Sequence, residues 1–211
     1  MFTTKTVSII AALVLAQFLC LQAFCGVEAE VRDISGNKYF EAVHLAFQNA
    51  ETSIYVAMYE MHINPDRKSG PHYRLIQDLI NALKRGVKVK VYLDRSESTD
   101  QDTREIVIHD GSAIAYAMLR DAGVDVRYVV PSQRLHAKLI VVDERTVVDG
   151  SANWSYSALT DNAESTSMII SQQYAVLKLQ WIWSLKVQKD QGNPDSAKKL
   201  WRDRMKKDKP D

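Results

Sequence analysis

The sequence predicts an α/β fold, a layered α/β/α sandwich around a mixed, largely parallel sheet. Three observations predict it. The first half of the chain alternates helical and strand-like segments, the order that sets strands side by side in parallel. The second half brings three apolar runs close together through short polar connections, as hairpins do. The composition, 46% hydrophobic and 25% charged over 211 residues, is that of an ordinary globular chain with one core.

The first segment stands apart from this pattern. "MFTTK" carries one positive charge, and Val7 to Phe24 carries none. "GVEAE" follows, with Val27 and Ala29 three and one before a cut. That layout predicts a signal peptide over residues 1–29, cleaved after Ala29, and a secreted or periplasmic protein. The alternative is an uncleaved membrane anchor, since the apolar run sits at the short end of a bilayer span. Cys20 and Cys25, the only cysteines, both lie in this leader, and "QAF" before Cys25 is a poor lipoprotein acylation site. The mature chain therefore has no disulfide to lean on and must be held by its core. Its formal net charge of +1 points to no particular class of partner.

After the leader, "NKYFEAVHLAFQNA" reads as a helix with Phe40, Val43, Leu45 and Phe47 apolar. "TSIYVAMYEM" is a buried strand by its β-branched and aromatic content, and "NPDRKSGPHY" a loop. "YRLIQDLINALKRG" predicts an amphipathic helix with Leu75, Ile76, Leu79, Ile80 and Leu83 on one face, stopped at Gly86. "VKVKVYLD" alternates as a strand should. "RSESTDQDTREIVIHDGS" is a long polar connection, "AIAYAMLRDAG" a short helix ending at Gly123, and "VDVRYVV" a strand closed by Pro131. Then come "HAKLIVVD" and "TVVDGS", joined by "ERT" as a hairpin, and "ESTSMII". A last helix, "QYAVLKLQWIWSLKV", places Tyr174, Leu177, Trp181 and Leu185 on one stripe, which predicts core packing for its tryptophans. Residues 191–211 form a polar, basic C-terminal tail, read as a solvated face.

The chemistry concentrates in "HAKLIVVDERTVVDGSAN", residues 136–153. On a strand, His136 and Lys138 project to the same side, about 7 Å apart. Asp143 has the opposite parity and begins the turn, which suits a structural role. Gly150 allows close backbone approach, and Ser151 and Asn153 offer hydrogen bonds. An imidazole, an ammonium, a hydroxyl and a carboxamide at one hairpin end can attack or protonate an oxyanion and neutralise its charge. Phosphate is the natural ligand of such a set. A serine-hydrolase reading fails because "DGSAN" lacks the second glycine of the nucleophile elbow. No His-x-His or His-Glu-x-x-His occurs, so a metal site is not indicated. His44, His62, His72 and His109 are dispersed and read as packing, loop or surface residues.

The pattern His-x-Lys, four residues, Asp, six residues, Gly-Ser-x-Asn resembles that of the phospholipase D superfamily. It stands complete as His136, Lys138, Asp143, Gly150, Ser151 and Asn153. The surrounding "GSANWSYSALTDNAES" is similar to the single-motif members, the bacterial Nuc-type endonucleases and the mitochondrial cardiolipin hydrolases. The general likeness runs from Asp33 to Val187, and makes residues 30–190 a phospholipase D-like catalytic domain. By this resemblance Glu164 matches the acidic residue that holds the catalytic histidine, and Asn162 matches too.

The resemblance implies a two-histidine mechanism: one attacks phosphorus to give a phosphohistidine, the other protonates the leaving oxygen. This chain has one such motif, so a homodimer with a shared active site is implied. His136 would serve as nucleophile in one subunit and as general acid/base in the other. Lys138 and Asn153 would bind phosphate oxygens with help from Ser151, Glu164 would orient the ring, and no metal or other cofactor is called for. The expected reaction is phosphodiester hydrolysis at a phospholipid head group, with peripheral membrane contact. The alternatives are a metal-independent endonuclease acting on DNA or RNA, with Arg67, Lys68, Arg95, Arg104 and Arg134 as candidate groove cations, or a non-catalytic phosphate-binding module.

Overall fold

The computed structural model describes residues 26–64, 69–99, 106–109 and 111–189. The leader up to residue 25, the tail 191–211, and Arg67, Lys68 and Arg104 lie outside the described residues. The strands are β1 (Glu30–Asp33), β2 (Ser53–Met58), β3 (Lys88–Leu93), β4 (Ser96–Thr99), β5 (Ile106–His109), β6 (Asp125–Tyr128), β7 (Lys138–Val142), β8 (Thr146–Gly150) and β9 (Thr166–Ile170). The helices are α1 (Lys38–Gln48), α2 (Pro71–Lys84), α3 (Ala113–Asp121), α4 (Tyr156–Thr160) and α5 (Gln172–Trp183). Among the described residues no helix is long and apolar enough to cross a membrane.

Seven strands form one sheet in the order β1-β9-β8-β7-β2-β3-β6. β2, β3 and β6 are parallel, as the alternating first half requires. β7 enters antiparallel to β2, and β8, β9 and β1 continue antiparallel. The parallel share is thus confined to the first half, and over the whole sheet antiparallel pairings are the more numerous.

Every residue of β2 is buried, because helices cover the sheet on both faces. Ile54, Val56 and Met58 join the core shared with α1, α2 and α3, and Tyr55 and Ala57 join the core under α5. α2 begins at Pro71, where the missing N–H costs nothing. Gly86 at φ +94° and Gly123 at φ +89° follow α2 and α3 in the left-handed region.

Three expectations are corrected, and one strand is added. α1 buries Tyr39, Val43 and Phe47, while Leu45 is 48% exposed. A spacing of four keeps one face, and Leu45, two residues from Val43, falls on the opposite side. In α5 the buried residues are Ala175, Leu179 and Ile182, whereas Leu177, Trp181 and Trp183 are exposed. That helix is apolar nearly all round, so periodicity does not select its face. The sheet takes the side where Ala175 permits close approach, and the tryptophans stay outside, with Trp183 edge-on to Tyr55 at 6.1 Å. The long polar connection contains the β4–β5 hairpin. Finally, "EVRD" is an edge strand, β1, whose charges suit an unpaired edge.

Candidate active site

The β7–β8 hairpin separates a structural end from a chemical end. At the turn, Asp143 adopts φ +51° and its own N–H donates to the Ser53 carbonyl at 2.8 Å. Its carboxylate accepts from the backbone N–H groups of Glu51, Thr52 and Ser53 and from the Thr52 hydroxyl, at 2.8–3.2 Å. Burial pushes the Asp143 pKa up, but these donors outweigh it and hold the carboxyl below the usual range. A lowered folded pKa means that the stabilisation is present above the unfolded value, about 4, and is lost as pH falls through the folded value. Asp143→Asn should therefore cost about 2 kcal/mol at neutral pH, with the gap to wild type closing below about pH 4. Urea unfolding at several pH values measures this, and a gap independent of pH would contradict it.

At the other end, β7 starts at Lys138, paired with Met58. The Leu139↔Asp149 register brings that start beside Gly150 at the end of β8. A Cβ on Gly150 would sit 2.6 Å from the Ser165 carbonyl oxygen and 2.7 Å from Thr166 Cα. Glycine is needed there for β8 and β9 to pair.

His136 precedes the strand with its ring exposed and both flanks pinned. Buried Leu135 donates its N–H to Asp94 Oδ1 at 2.8 Å. The Ala137 carbonyl accepts from Tyr59 N–H at 2.8 Å. Lys138, only 8% exposed, donates from Nζ to the His136 carbonyl oxygen at 2.9 Å. The ammonium lies beside the ring, 3.4 Å from Nδ1 and 3.5 Å from Nε2. Burial lowers the Lys138 pKa, with the Glu164 and Glu60 carboxylates pulling it partly back.

Asn153 is placed by its neighbour. Trp154 is fully buried, donates its indole N–H to Tyr39 Oη at 2.9 Å, and packs edge-on to Phe47 at 6.0 Å. Its backbone N–H donates to the Glu60 carbonyl at 3.0 Å, and its carbonyl accepts from His62 N–H at 2.8 Å. The Asn153 Oδ1 atom is buried and has no hydrogen-bond partner. Glu164 accepts from the Ser151 hydroxyl and, at 3.1 Å, from Asn162 Nδ2. Ser151 also binds the next strand: its Oγ accepts from Ser165 N–H and its own N–H donates to the Ser165 carbonyl, both at 3.0 Å.

The motif residues therefore form two adjoining groups within one chain, His136 with Lys138 and Ser151 with Glu164 and Asn162. Glu164 spends its hydrogen bonds on Ser151 and Asn162 rather than on the His136 ring of its own chain. Asp143 lies at the far end of the hairpin. His44 bonds buried Asp78 at 2.6 Å and stacks on Phe40, and His72 is buried against Tyr156. Of the candidate groove cations, Arg95 lies over the Tyr128 ring and Arg134 bonds Tyr59 Oη at 2.9 Å. Among the described residues no three His, Cys, Asp or Glu side chains gather to hold a metal ion.

Sequence reasoning missed three residues here: Tyr59, Asp94 and Trp154. Asp94 and Tyr59 stand just past the carboxyl ends of the parallel strands β3 and β2, where open α/β sheets carry their sites. That position was the available signal.

An α/β/α sandwich with His-x-Lys at the mouth of a central hairpin defines a class. Residues 44–185 match the family model described as "Cardiolipin synthase, PLD-like domain". The chain belongs to the phospholipase D superfamily. It is 33% identical over 133 residues to a phospholipase D of Rickettsia typhi, covering 63% of this chain and 55% of that protein. It is 33% identical over 96 residues to the mitochondrial cardiolipin hydrolase of Homo sapiens, covering 46% and 34%. The chain thus spans about half, or less, of the length of the curated relatives it matches. Nuc from Salmonella typhimurium, a phospholipase D family member, superposes with TM-score 0.60 at 24% identity, over 78% of this chain and 100% of that one. NucT from Helicobacter pylori superposes at 0.54 with 15% identity, over 75% and 96%. At such identities these two structures speak for the fold.

Proposed function

We propose that this chain is a phosphodiesterase of phospholipase D type, hydrolysing phospholipid head-group esters in a site shared by two subunits. One observation carries the reading. A nearly buried ammonium, Lys138, lies within 3.5 Å of an exposed imidazole, His136. An ammonium so placed stabilises the negative charge that builds on phosphoryl oxygens, and the imidazole supplies a nucleophile beside it. Asn153, set beside the hairpin end by buried Trp154, is assigned as a second phosphate contact through its Nδ2 donors, since its Oδ1 atom is an acceptor only.

In the proposed cycle, a ring nitrogen of His136 attacks phosphorus, an N–P bond forms and the P–O bond to the leaving group breaks. The partner subunit's His136 gives its proton to the leaving oxygen. It then takes a proton from water, whose oxygen attacks phosphorus and releases the first histidine. Ser151 assists Lys138 and Asn153 at phosphate in this scheme. Glu164, which does not bond the His136 ring of its own chain, would orient the partner subunit's His136. Export through residues 1–29 is part of the proposal, and the secreted chain should begin at Glu30 by mass spectrometry. An intact leader in membrane fractions would argue for an anchor instead.

The similarity to proteins named phospholipase D and cardiolipin hydrolase favours a lipid substrate. Purified chain assayed side by side on phosphatidylcholine, cardiolipin, plasmid DNA and RNA tests this, with release of lipid head groups expected. Cleavage of nucleic acid alone would make it an endonuclease, and binding without turnover of any of these or of a bis-aryl phosphodiester would make it a phosphate-binding module. Because Lys138 supplies the cation at phosphate, activity should survive millimolar EDTA. Full inhibition reversed by one particular metal would mean different chemistry.

A further inference from the structure

We infer that Tyr59 is a positioning residue for His136, holding the imidazole by ring contact and itself held by Arg134. The role presupposes the phosphodiesterase reading above. Tyr59 follows β2, and its backbone N–H bonds the Ala137 carbonyl at 2.8 Å, so its main chain runs beside that of His136. The two ring centroids are 4.6 Å apart with the planes tilted by 50°, within contact range for an aromatic pair. Lys138 Nζ lies 4.9 Å from the Tyr59 centroid, close enough for the ring face to attract the ammonium. Arg134 closes the set, donating from Nη2 to Tyr59 Oη at 2.9 Å with its guanidinium carbon 5.5 Å from the ring centroid.

Glu164 does not hold the ring of its own chain. Without Tyr59 the exposed His136 ring would lose its aromatic contact and keep the Lys138 ammonium beside it, freer to turn away from phosphorus. A nucleophile needs near-attack geometry, and misplacement by about 1 Å costs on the order of 100-fold in rate. Tyr59 supplies two constraints at once: a surface against the imidazole and a shared face that keeps Lys138 beside it. The hydroxyl acts at second hand, through Arg134, and phenylalanine keeps the ring without it.

The test compares Tyr59→Phe with Tyr59→Leu on a bis-aryl phosphodiester, after thermal melts show both folded. Tyr59→Phe should stay within about threefold of wild-type kcat, whereas Tyr59→Leu should lose about 30-fold in kcat with little change in KM. Wild-type kcat in Tyr59→Leu, or equal losses in both variants, would overturn the assignment. Should wild type itself prove inactive, the phosphodiesterase reading falls and the positional claim is judged separately by proton NMR. The His136 ring protons should then shift on Tyr59→Leu, as an aromatic neighbour is lost, but not on Tyr59→Phe. Unchanged signals in both would refute the contact.

Discussion

Replacing His136 by Asn should abolish turnover and leave the fold intact. The imidazole is exposed, so its removal takes nothing from the core. The backbone around it is held by bonds that do not involve the ring, from Leu135 to Asp94 and from Tyr59 to Ala137. Asparagine offers neither a nucleophilic nitrogen nor a proton acceptor of useful basicity, so both proposed roles disappear together. Lys138→Ala should be less complete, costing at least about 100-fold, as the loss of one oxyanion-stabilising cation does. Steady-state rates, with melts to show folding, decide both. Phosphodiesterase activity persisting in a clean His136→Asn preparation would remove the whole site assignment.

The hairpin that carries these residues was legible because two constraints coincide in it. Its strands must be apolar on both faces to lie mid-sheet, and its polar exceptions must then sit at the ends. Lys138 and Asp143 do so, one at each end of β7. The parallel half was legible for a related reason: amphipathic α2 alternates with strands too apolar to be anything but central. What escaped reading was decided by tertiary partners. Tyr39 faces inward in α1, and its hydroxyl accepts the indole N–H of buried Trp154, a pairing across 115 residues that no local pattern shows. α5 is apolar on more than one side, so its pattern did not show that Ala175, Leu179 and Ile182 are the residues it buries. β1 is four residues with three charges, a strand only because β9 offers it an edge. Tyr59 carries no motif and shows its place only when β2 and β7 are laid side by side.

The largest remaining effect concerns the second half of the site. One chain provides one His-x-Lys, while the proposed cycle uses two histidines at one phosphate. A two-fold axis passing near His136 would supply the second, since an isologous contact places the same residue on both sides. The exposed ring at the open end of the hairpin is accessible to such a copy. The protein should therefore sediment as a dimer, and specific activity should fall on dilution below its dissociation constant. Mixed dimers give the sharper test. A pair of one wild-type chain and one His136→Asn chain keeps a single histidine, lacks either the nucleophile or the acid, and should be nearly inactive. Co-refolded with increasing mutant, wild-type activity should fall as the square of the wild-type fraction, to about one quarter at equal amounts under random pairing. A fall in simple proportion would mean that each chain works alone, and the shared-site mechanism would be abandoned even with His136 essential.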